Sequence, residues 1–167
     1  MKIYLIGYMA SGKTNLGKEM AAVSGMPMVD MDDLFEEKYR LSISEFFEKY
    51  GESVFRRLEH GILEDTFRMD DVIISTGGGT PCFFDNMDLI LKNGVSVYLK
   101  TPVDVMARRL RGIRKKRPLL KEVPEKELEA FITAQICERE AYYRRADYVV
   151  EGPDIDAGEI LKKIQTV

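Results

Sequence analysis

The sequence predicts an α/β fold in which a mostly parallel, five-stranded sheet carries helices on both faces. Short apolar runs, long enough for buried strands but too short for helices, alternate along the chain with stretches of helical periodicity. Glycines follow the first and third of these runs, at Gly7 and at residues 77–79, where strands are expected to end. Strands that alternate with helices favour parallel pairing, because each crossover returns the chain to the same edge of the sheet.

Each element is located by its own pattern. Between the second and third strands, apolar residues recur at helical spacing over residues 32–68, with one break at Gly51. Pro102 suits the first turn of the helix that follows the fourth strand. Residues 112–123 show no clean period and carry five Lys or Arg side chains, which predicts a mobile loop. The expected strands are 3–6, 27–30, 72–75, 95–99 and 147–150, and the other expected helices are 13–23, 83–91, 103–111, 125–145 and 156–165.

Composition bounds the class of protein. At 167 residues, 45% hydrophobic and 32% charged, the chain is expected to fold as one domain over residues 1–167. Its 25 basic and 28 acidic residues give a net charge of −3, which argues against nucleic acid or an anionic membrane as the main partner. No window approaches the roughly 20 apolar residues of a membrane span. Cys82 and Cys137 are expected to be buried free thiols, which predicts a cytoplasmic protein.

The strongest motif lies between the first strand and the first helix. Residues 7–14 read Gly-Tyr-Met-Ala-Ser-Gly-Lys-Thr and fit the phosphate-binding pattern G-x-x-x-x-G-K-[ST]. Backbone N–H groups of such a loop cradle phosphate oxygens, Lys13 can reach the β- and γ-phosphates, and Thr14 can ligate Mg²⁺. A glycine turn with a solvated lysine is the alternative. GTPase companion motifs and a Walker B aspartate are missing, so the pattern favours a small-molecule kinase.

Two carboxylates follow the second strand. Asp30 and Asp32 stand at i and i+2, so on an extended segment they point the same way at the ligand-binding edge of a parallel sheet. One acid can hold Mg²⁺ through water, and the other can accept the proton of an alcohol acceptor. The alternative is that Asp30 or Asp32 caps the helix that follows.

Arginines and glycines supply further candidate contacts. Arg56 and Arg57 diverge by about 100° on a helix, so at most one of them faces a site. Residues 77–79 are three consecutive glycines, which permit close backbone approach to a ligand. Arg139 is a candidate partner for a substrate carboxylate, and Arg117 in the basic loop is a candidate for the transferring phosphate. The alternatives are solvated helix faces, a flexible turn and an ordinary surface loop.

Together these motifs resemble the shikimate kinase family, in the family's order and over nearly the whole chain. The phosphate-binding loop is generic to many NTPases, whereas the later motifs are far more specific. The matching pieces are residues 7–14, Asp30-Met31-Asp32, residues 55–59 (Phe-Arg-Arg-Leu-Glu), residues 77–79, Arg117-Pro118-Leu119-Leu120, and Arg139 ahead of residues 142–145.

The resemblance implies a three-layer α/β/α P-loop fold, a lid near residues 112–124 and a substrate-binding segment near residues 32–60. It implies transfer of the ATP γ-phosphoryl group to the 3-hydroxyl of shikimate, in chorismate and aromatic amino-acid biosynthesis. The expected partners are ATP with Mg²⁺ and shikimate, and the expected state is a cytoplasmic monomer.

The resemblance also implies a role for each matching residue. Asp32 is the candidate base, with Lys13 and Arg117 as its catalytic companions. Thr14, and Asp30 through water, would serve Mg²⁺. The implied ATP contacts are Ala10, Ser11, Gly12, Lys13, Thr14, Asn15 and Arg117. The implied shikimate contacts are Asp32, Arg56, Gly78, Gly79 and Arg139, with Phe47 and Phe55 packing on the ring.

Several points stay open in the sequence. Arg108, Arg109 and Arg111 all compete as the arginine that stacks on adenine, and residues 151–154 are more acidic than the family's adenine loop usually is. A kinase for another hydroxy acid, such as gluconate, fits the same residues. A catalytically dead relative that only binds ligands would lack Lys13, Asp32 or Arg117, and all three are present.

Overall fold

The computed structural model describes residues 1–166, apart from the side chain of Lys115. Within them, five parallel strands form one sheet in the order β2-β3-β1-β4-β5, which confirms the predicted fold class. The strands are β1 (Lys2–Ile6), β2 (Met28–Asp30), β3 (Val72–Ser75), β4 (Val95–Lys100) and β5 (Tyr148–Glu151). The first strand lies at the centre, so its carboxyl end and the loop that follows it sit in the middle of one edge of the sheet.

Eight α-helices cover this sheet in the described chain. They are α1 (Lys13–Ser24), α2 (Met31–Tyr39), α3 (Ile43–Tyr50), α4 (Glu52–Thr66), α5 (Asn86–Asn93), α6 (Val103–Arg111), α7 (Leu128–Tyr143) and α8 (Ala157–Gln165). No helix among residues 1–166 is long and apolar enough to cross a membrane.

Strand β1 separates two hydrophobic cores. Its side chains alternate between the two faces of the sheet, as the pleat requires. Ile3 and Leu5 pack with residues of α1 and α8 on one face, and Tyr4 and Ile6 join the larger cluster on the other face. All four side chains are fully buried. The larger cluster packs the helices that surround the candidate site against the sheet.

The helical stretch predicted over residues 32–68 has two breaks and not one. The second break follows α2, where Arg40 adopts a left-handed backbone with φ of 58°. Ser42 then caps α3: its hydroxyl accepts from the Glu45 N–H at 3.1 Å, and its own N–H donates to the Glu45 carboxylate at 3.4 Å. This Ser-x-x-Glu capping box was visible in the sequence as a helix-start signal.

Two helices begin later than predicted. The seventh begins at Leu128, not at residue 125, because Glu125–Glu127 form a 3₁₀ turn. The fifth begins at Asn86, not at residue 83, because the chain turns at Phe84, whose backbone is left-handed with φ of 51°. The basic loop also contains 3₁₀ turns, at Arg114–Lys116 and Pro118–Leu120. Short turns of this kind carry little hydrophobic periodicity, so the sequence pattern did not predict them.

Loss of the Ser42 cap is expected to destabilise the chain. Replacement of Ser42 with Ala removes the acceptor for the Glu45 N–H and should lower the free energy of unfolding by about 1 kcal/mol. Ser44→Ala, on the same helix beyond the cap, should change it by less than about 0.5 kcal/mol. Urea unfolding of both variants tests this, and equal losses would show that the capping box is not the stabilising feature.

Candidate active site

The phosphate-binding loop closes around its own lysine. Gly12 is the N-cap of α1 and has φ of 104°, a left-handed conformation that favours glycine. The ammonium group of Lys13 is buried and donates to the carbonyl oxygens of Gly7, at 2.8 Å, and Tyr8, at 2.9 Å. Burial lowers the pKa of Lys13 to about 8, although the Asp32 and Asp30 carboxylates act in the opposite direction. The loop is therefore preformed with a cation at its centre.

A hydroxyl and a carboxylate meet beside this loop. The Thr14 hydroxyl donates to Asp30 Oδ2 at 2.8 Å, while Asp30 Oδ1 accepts from the Asp32 N–H at 2.9 Å. Asp30 therefore caps α2 with one oxygen, which confirms the helix-cap interpretation, and accepts from Thr14 with the other; its role toward Mg²⁺ stays a prediction. Oxygen donors of this type are the ligands that Mg²⁺ prefers.

A cavity of about 440 Å³ opens over the loop. We call it the nucleotide pocket, and Lys13, Asp32 and Arg117 lie along it. Of the three competing arginines, Arg109 lines it and donates to the Ala10 carbonyl oxygen at 3.0 Å. Its lining residues are Met9, Ala10, Gly12, Lys13, Thr14, Asn15, Asp30, Asp32, Ser75, Thr76, Gly78, Arg109, Ile113 and Arg117.

Ser11 is the one expected ATP contact that does not line this pocket in the described chain. Its side chain is buried under the loop, and its hydroxyl has no hydrogen-bond partner among the described residues. Its carbonyl oxygen accepts from the Thr101 hydroxyl at 2.7 Å, and its N–H donates to Tyr8 at 3.2 Å. Ser11 thus ties the loop to the residue after β4.

A smaller pocket of about 70 Å³ adjoins the first. We call it the acceptor pocket, because every residue expected to contact the phosphoryl acceptor lines it. These residues come from five separate segments of the chain. They are Asp32, Phe47, Phe55, Arg56, Gly78, Gly79 and Arg139, and the structure adds Met9, Ile43, Glu59, Gly77, Arg117, Pro118 and Leu119.

A buried ion pair forms one wall of the acceptor pocket. Arg56 and Glu59 are 5% and 4% exposed, and the Arg56 guanidinium donates to Glu59 at 3.0 Å. Arg57 points to solvent, as the helical geometry requires. The other Glu59 oxygen accepts from the Thr80 hydroxyl at 2.9 Å. Burial raises the pKa of Glu59 above its usual range, and Arg56 and Thr80 oppose that shift.

The glycine run is explained by how closely this pair approaches it. A Cβ atom on Gly79 would lie 2.5 Å from an Arg56 guanidinium nitrogen, and one on Gly77 would lie 2.6 Å from a Glu59 oxygen. Such distances are far below van der Waals contact. The expected close approach to residues 77–79 is therefore made first by the protein's own charged side chains.

Arg139 lines the acceptor pocket together with Arg56. It is 8% exposed, and its guanidinium carbon lies 5.6 Å from the centre of the Tyr8 ring. The Tyr8 hydroxyl donates to Gln135, one turn earlier on α7. The Tyr143 hydroxyl donates to the Gly78 carbonyl oxygen at 2.5 Å. These contacts hold α7 against both the phosphate-binding loop and the glycine run.

Asp32 and Arg117 stand where the two pockets meet. Their side chains approach to 3.8 Å, and both residues line both pockets. Burial and the neighbouring Asp30 carboxylate raise the pKa of Asp32 to about 6, against the opposing effect of Arg117. The junction therefore holds a carboxyl group whose pKa is close to neutral pH and a guanidinium group carried by the basic loop.

Sequence reasoning missed several residues of the site. Glu59 was visible as a helical i+3 neighbour of Arg56, but its burial depends on Thr80 and Gly77 from another segment. Tyr8, Thr80 and Tyr143 gave no signal of their own. The two cysteines were expected to be buried, whereas Cys82 is half-buried and Cys137, on the outer face of α7, is exposed.

Removal of Arg56 is expected to destabilise the protein, because the buried Glu59 carboxylate loses its cationic partner. Arg56→Met should lower the free energy of unfolding at pH 7 by about 3–5 kcal/mol, because an unpaired buried charge remains. The deficit should shrink at pH 5, since loss of Arg56 raises the pKa of Glu59 further and the folded variant takes up a proton. The double variant Arg56→Met/Glu59→Gln should recover most of the loss.

The matched control is Arg57→Met, on the exposed side of the same helix, with an expected change within about 0.5 kcal/mol. Urea unfolding at both pH values measures all four proteins. An Arg56→Met deficit that equals the Arg57→Met deficit, or that stays constant with pH, would contradict the buried-pair assignment.

Comparison with known proteins places this site in a family. The family model described as shikimate kinase matches residues 9–167. A shikimate kinase of Parabacteroides distasonis is 41% identical over 145 residues, which is 87% of this chain and 84% of the relative.

Solved structures agree. The shikimate kinase of Bacteroides thetaiotaomicron superposes with a TM-score of 0.91 at 34% identity, covering 100% of this chain and 99% of that one. The shikimate kinase of Acinetobacter baumannii in complex with shikimate gives a TM-score of 0.86 at 34% identity, covering 99% and 90%. The chain belongs to the shikimate kinase family.

Proposed function

We propose that the chain transfers the γ-phosphoryl group of ATP to the 3-hydroxyl of shikimate, giving ADP and shikimate 3-phosphate in chorismate and aromatic amino-acid biosynthesis. The observation that carries this proposal is the junction of the two pockets, where Asp32 and Arg117 face both. A phosphoryl group in the larger pocket and a hydroxyl in the smaller one meet at that point. Family membership and the shikimate complex of a 34% identical relative support the choice of acceptor.

The nucleotide pocket supplies charge and orientation. Lys13 lies where it can reach the β- and γ-phosphates once they displace its contacts to Gly7 and Tyr8. Ala10, Ser11, Gly12 and Asn15 complete the loop around the phosphates, with Arg109 beside the base. ATP rather than GTP is the proposed nucleotide.

The side-chain oxygens of Thr14 and Asp30 are suitable ligands for a divalent cation. They present a hydroxyl and a carboxylate within 2.8 Å of each other at the floor of the nucleotide pocket. Two oxygens are fewer than the six that Mg²⁺ takes, so phosphate oxygens and water would complete the set, with Asp30 acting through water. When bound, Mg²⁺ would neutralise charge on the β- and γ-phosphates.

The acceptor pocket fits a compact acid. Three arginines line it: Arg56 is paired with Glu59 and Glu52, and Arg117 lies 3.8 Å from Asp32. Arg139 has no carboxylate partner among the described residues, so its charge is left for a substrate carboxylate. A neutral polyol would leave that buried charge without a partner. Phe47 and Phe55, with ring centres 4.7 Å apart, form an aromatic wall suited to a ring rather than an extended chain. Gly78 and Gly79 offer backbone N–H groups.

The chemistry follows from the junction. Asp32, once ionised, accepts the proton of the attacking hydroxyl, and Lys13 and Arg117 stabilise the charge of the transferring phosphoryl group. Closure of the lid, residues 112–124, would exclude water and bring Arg117 over the phosphates. Residues 32–60 serve as the substrate-binding segment of a single domain. A monomeric state and a cytoplasmic location stay predictions.

ADP release by the purified protein with Mg-ATP tests the proposal. Shikimate, gluconate and no acceptor are compared in parallel, and shikimate alone is expected to raise the rate by orders of magnitude. Release that is equal with gluconate, or absent with shikimate, would contradict the proposed acceptor.

The pH profile tests the role of Asp32. Because its pKa is raised to about 6, kcat/KM for shikimate should fall as pH drops below about 6, where the base takes up a proton. Asp32→Asn should lower kcat by orders of magnitude while leaving the protein folded. Asp33→Asn, at the exposed neighbouring position, should keep both activity and profile. A flat profile from pH 5 to 7, or substantial activity of Asp32→Asn, would rule out Asp32 as the base.

A further inference from the structure

A fully buried asparagine lies outside both pockets. Asn86 is the first residue of α5, is 0% exposed, and is not among the described lining residues of either pocket. Its side-chain nitrogen donates to the Thr80 carbonyl oxygen at 2.8 Å. Its side-chain oxygen faces Nδ1 of His60. Both ends of a buried amide are thus satisfied, which a buried polar group needs.

These two contacts close a ring of hydrogen bonds. His60 is the neighbour of Glu59 on α4, so Asn86 fastens the Thr80 backbone to the helix that carries the buried ion pair. The Thr80 hydroxyl in turn donates to Glu59 at 2.9 Å, and Glu59 accepts from Arg56 at 3.0 Å. The ring therefore runs from α4 through Asn86 and Thr80 and back to α4 at the adjacent residue.

The same segment reaches Arg56 a second time. Between Thr80 and Asn86 lies Phe83, and the Arg56 guanidinium carbon sits 4.2 Å from the centre of its ring. Phe84 turns the opposite way, with φ of 51°, and its exposed ring lies 5.4 Å from that of His60. Residues 80–86 thus present both a hydroxyl to the partner of Arg56 and an aromatic face to Arg56 itself.

We infer that Asn86 is a positioning residue for the Arg56 carboxylate clamp, acting through Thr80 and Glu59, with His60 as the outer end of the ring. This inference rests on the proposed function, because the clamp has a role only if the acceptor carries a carboxylate. Asn86 acts on where the Arg56 guanidinium lies and not on the phosphates, so its effect should fall on acceptor binding.

The ring requires a proton on Nδ1 of His60. The Asn86 nitrogen must face the Thr80 carbonyl oxygen, so its oxygen faces His60, and His60 Nδ1 must be the donor. His60 is the one histidine in the sequence, so its imidazole nitrogen resonances are identified without assignment. The other ring nitrogen, Nε2, lies 3.6 Å from a carboxylate oxygen of Glu64. Nitrogen-15 NMR at neutral pH should show a protonated Nδ1 in the wild type. An Nδ1 without a proton would overturn the ring.

Kinetics test the positioning role. Asn86→Ala should raise KM for shikimate roughly fivefold to tenfold, the size of one lost hydrogen bond, with kcat and KM for ATP within about twofold. Asn93→Ala, which removes the asparagine at the other end of the same helix, should change none of these values. An unchanged KM for shikimate in folded Asn86→Ala, or equal rises in both KM values, would overturn the inference.

A second pair of variants decides the matter if Asn86→Ala does not fold. Thr80→Val keeps the buried volume but lacks the hydroxyl and should raise KM for shikimate by a similar factor, whereas Thr80→Ser keeps the hydroxyl and should restore it. Equal values for the two Thr80 variants would overturn the inference. A wild type without shikimate-dependent ADP release would instead defeat the proposed function, and the NMR measurement of Nδ1 would still test the ring.

Discussion

The buried ion pair between Arg56 and Glu59 is the constraint on which the acceptor side of the molecule depends. Two charges removed from water are tolerated only when each finds hydrogen bonds. Here Glu59 accepts from both Arg56 and Thr80, and the Arg56 guanidinium lies against the Phe83 ring. The glycine run follows from the same constraint, because side chains at Gly77 and Gly79 would occupy the space of these charges. The shape of the acceptor pocket therefore follows from the packing and hydrogen bonding of this buried ion pair.

The nucleotide pocket depends on a different interaction, the contacts of the Lys13 ammonium group with its own loop. The Lys13 ammonium is held by carbonyl oxygens of its own loop, so the loop keeps its shape before phosphates arrive. The two sides meet at Asp32 and Arg117, which lie 3.8 Å apart between the pockets. In the proposed function, the Asp32 carboxyl, whose pKa is raised to about 6, would accept the acceptor proton, and Arg117 in the basic loop would stabilise the phosphoryl group.

The sequence predicted the parts of this site that local pattern determines. The loop of residues 7–14, the divergence of Arg56 and Arg57 and the strands of the sheet all follow from spacing and periodicity. The break before α3 was also available in the Ser42–Glu45 capping box. The sequence could not predict three features, because each depends on segments that meet only in the folded chain. They are the burial of Glu59, the burial of the Ser11 hydroxyl beneath the phosphate-binding loop and the ring of hydrogen bonds through Asn86. Asp30 shows a third case, in which the structure confirms one of two competing interpretations, the helix cap, and leaves a second oxygen of the same carboxylate beside the Thr14 hydroxyl.

The close packing of the Arg56–Glu59 pair on the glycine run is tested most directly by the KM for shikimate of Gly79→Ala. The added methyl group would displace the Arg56 guanidinium, so KM for shikimate should rise at least about tenfold while KM for ATP stays within about twofold. Gly61→Ala is the matched control on α4, where the new methyl group would meet no described atom within 4 Å apart from its chain neighbours and the backbone of its own helix, and it should leave both values unchanged. An unchanged KM for shikimate in folded Gly79→Ala would contradict the claim that close packing of this ion pair on the glycine run sets the acceptor site.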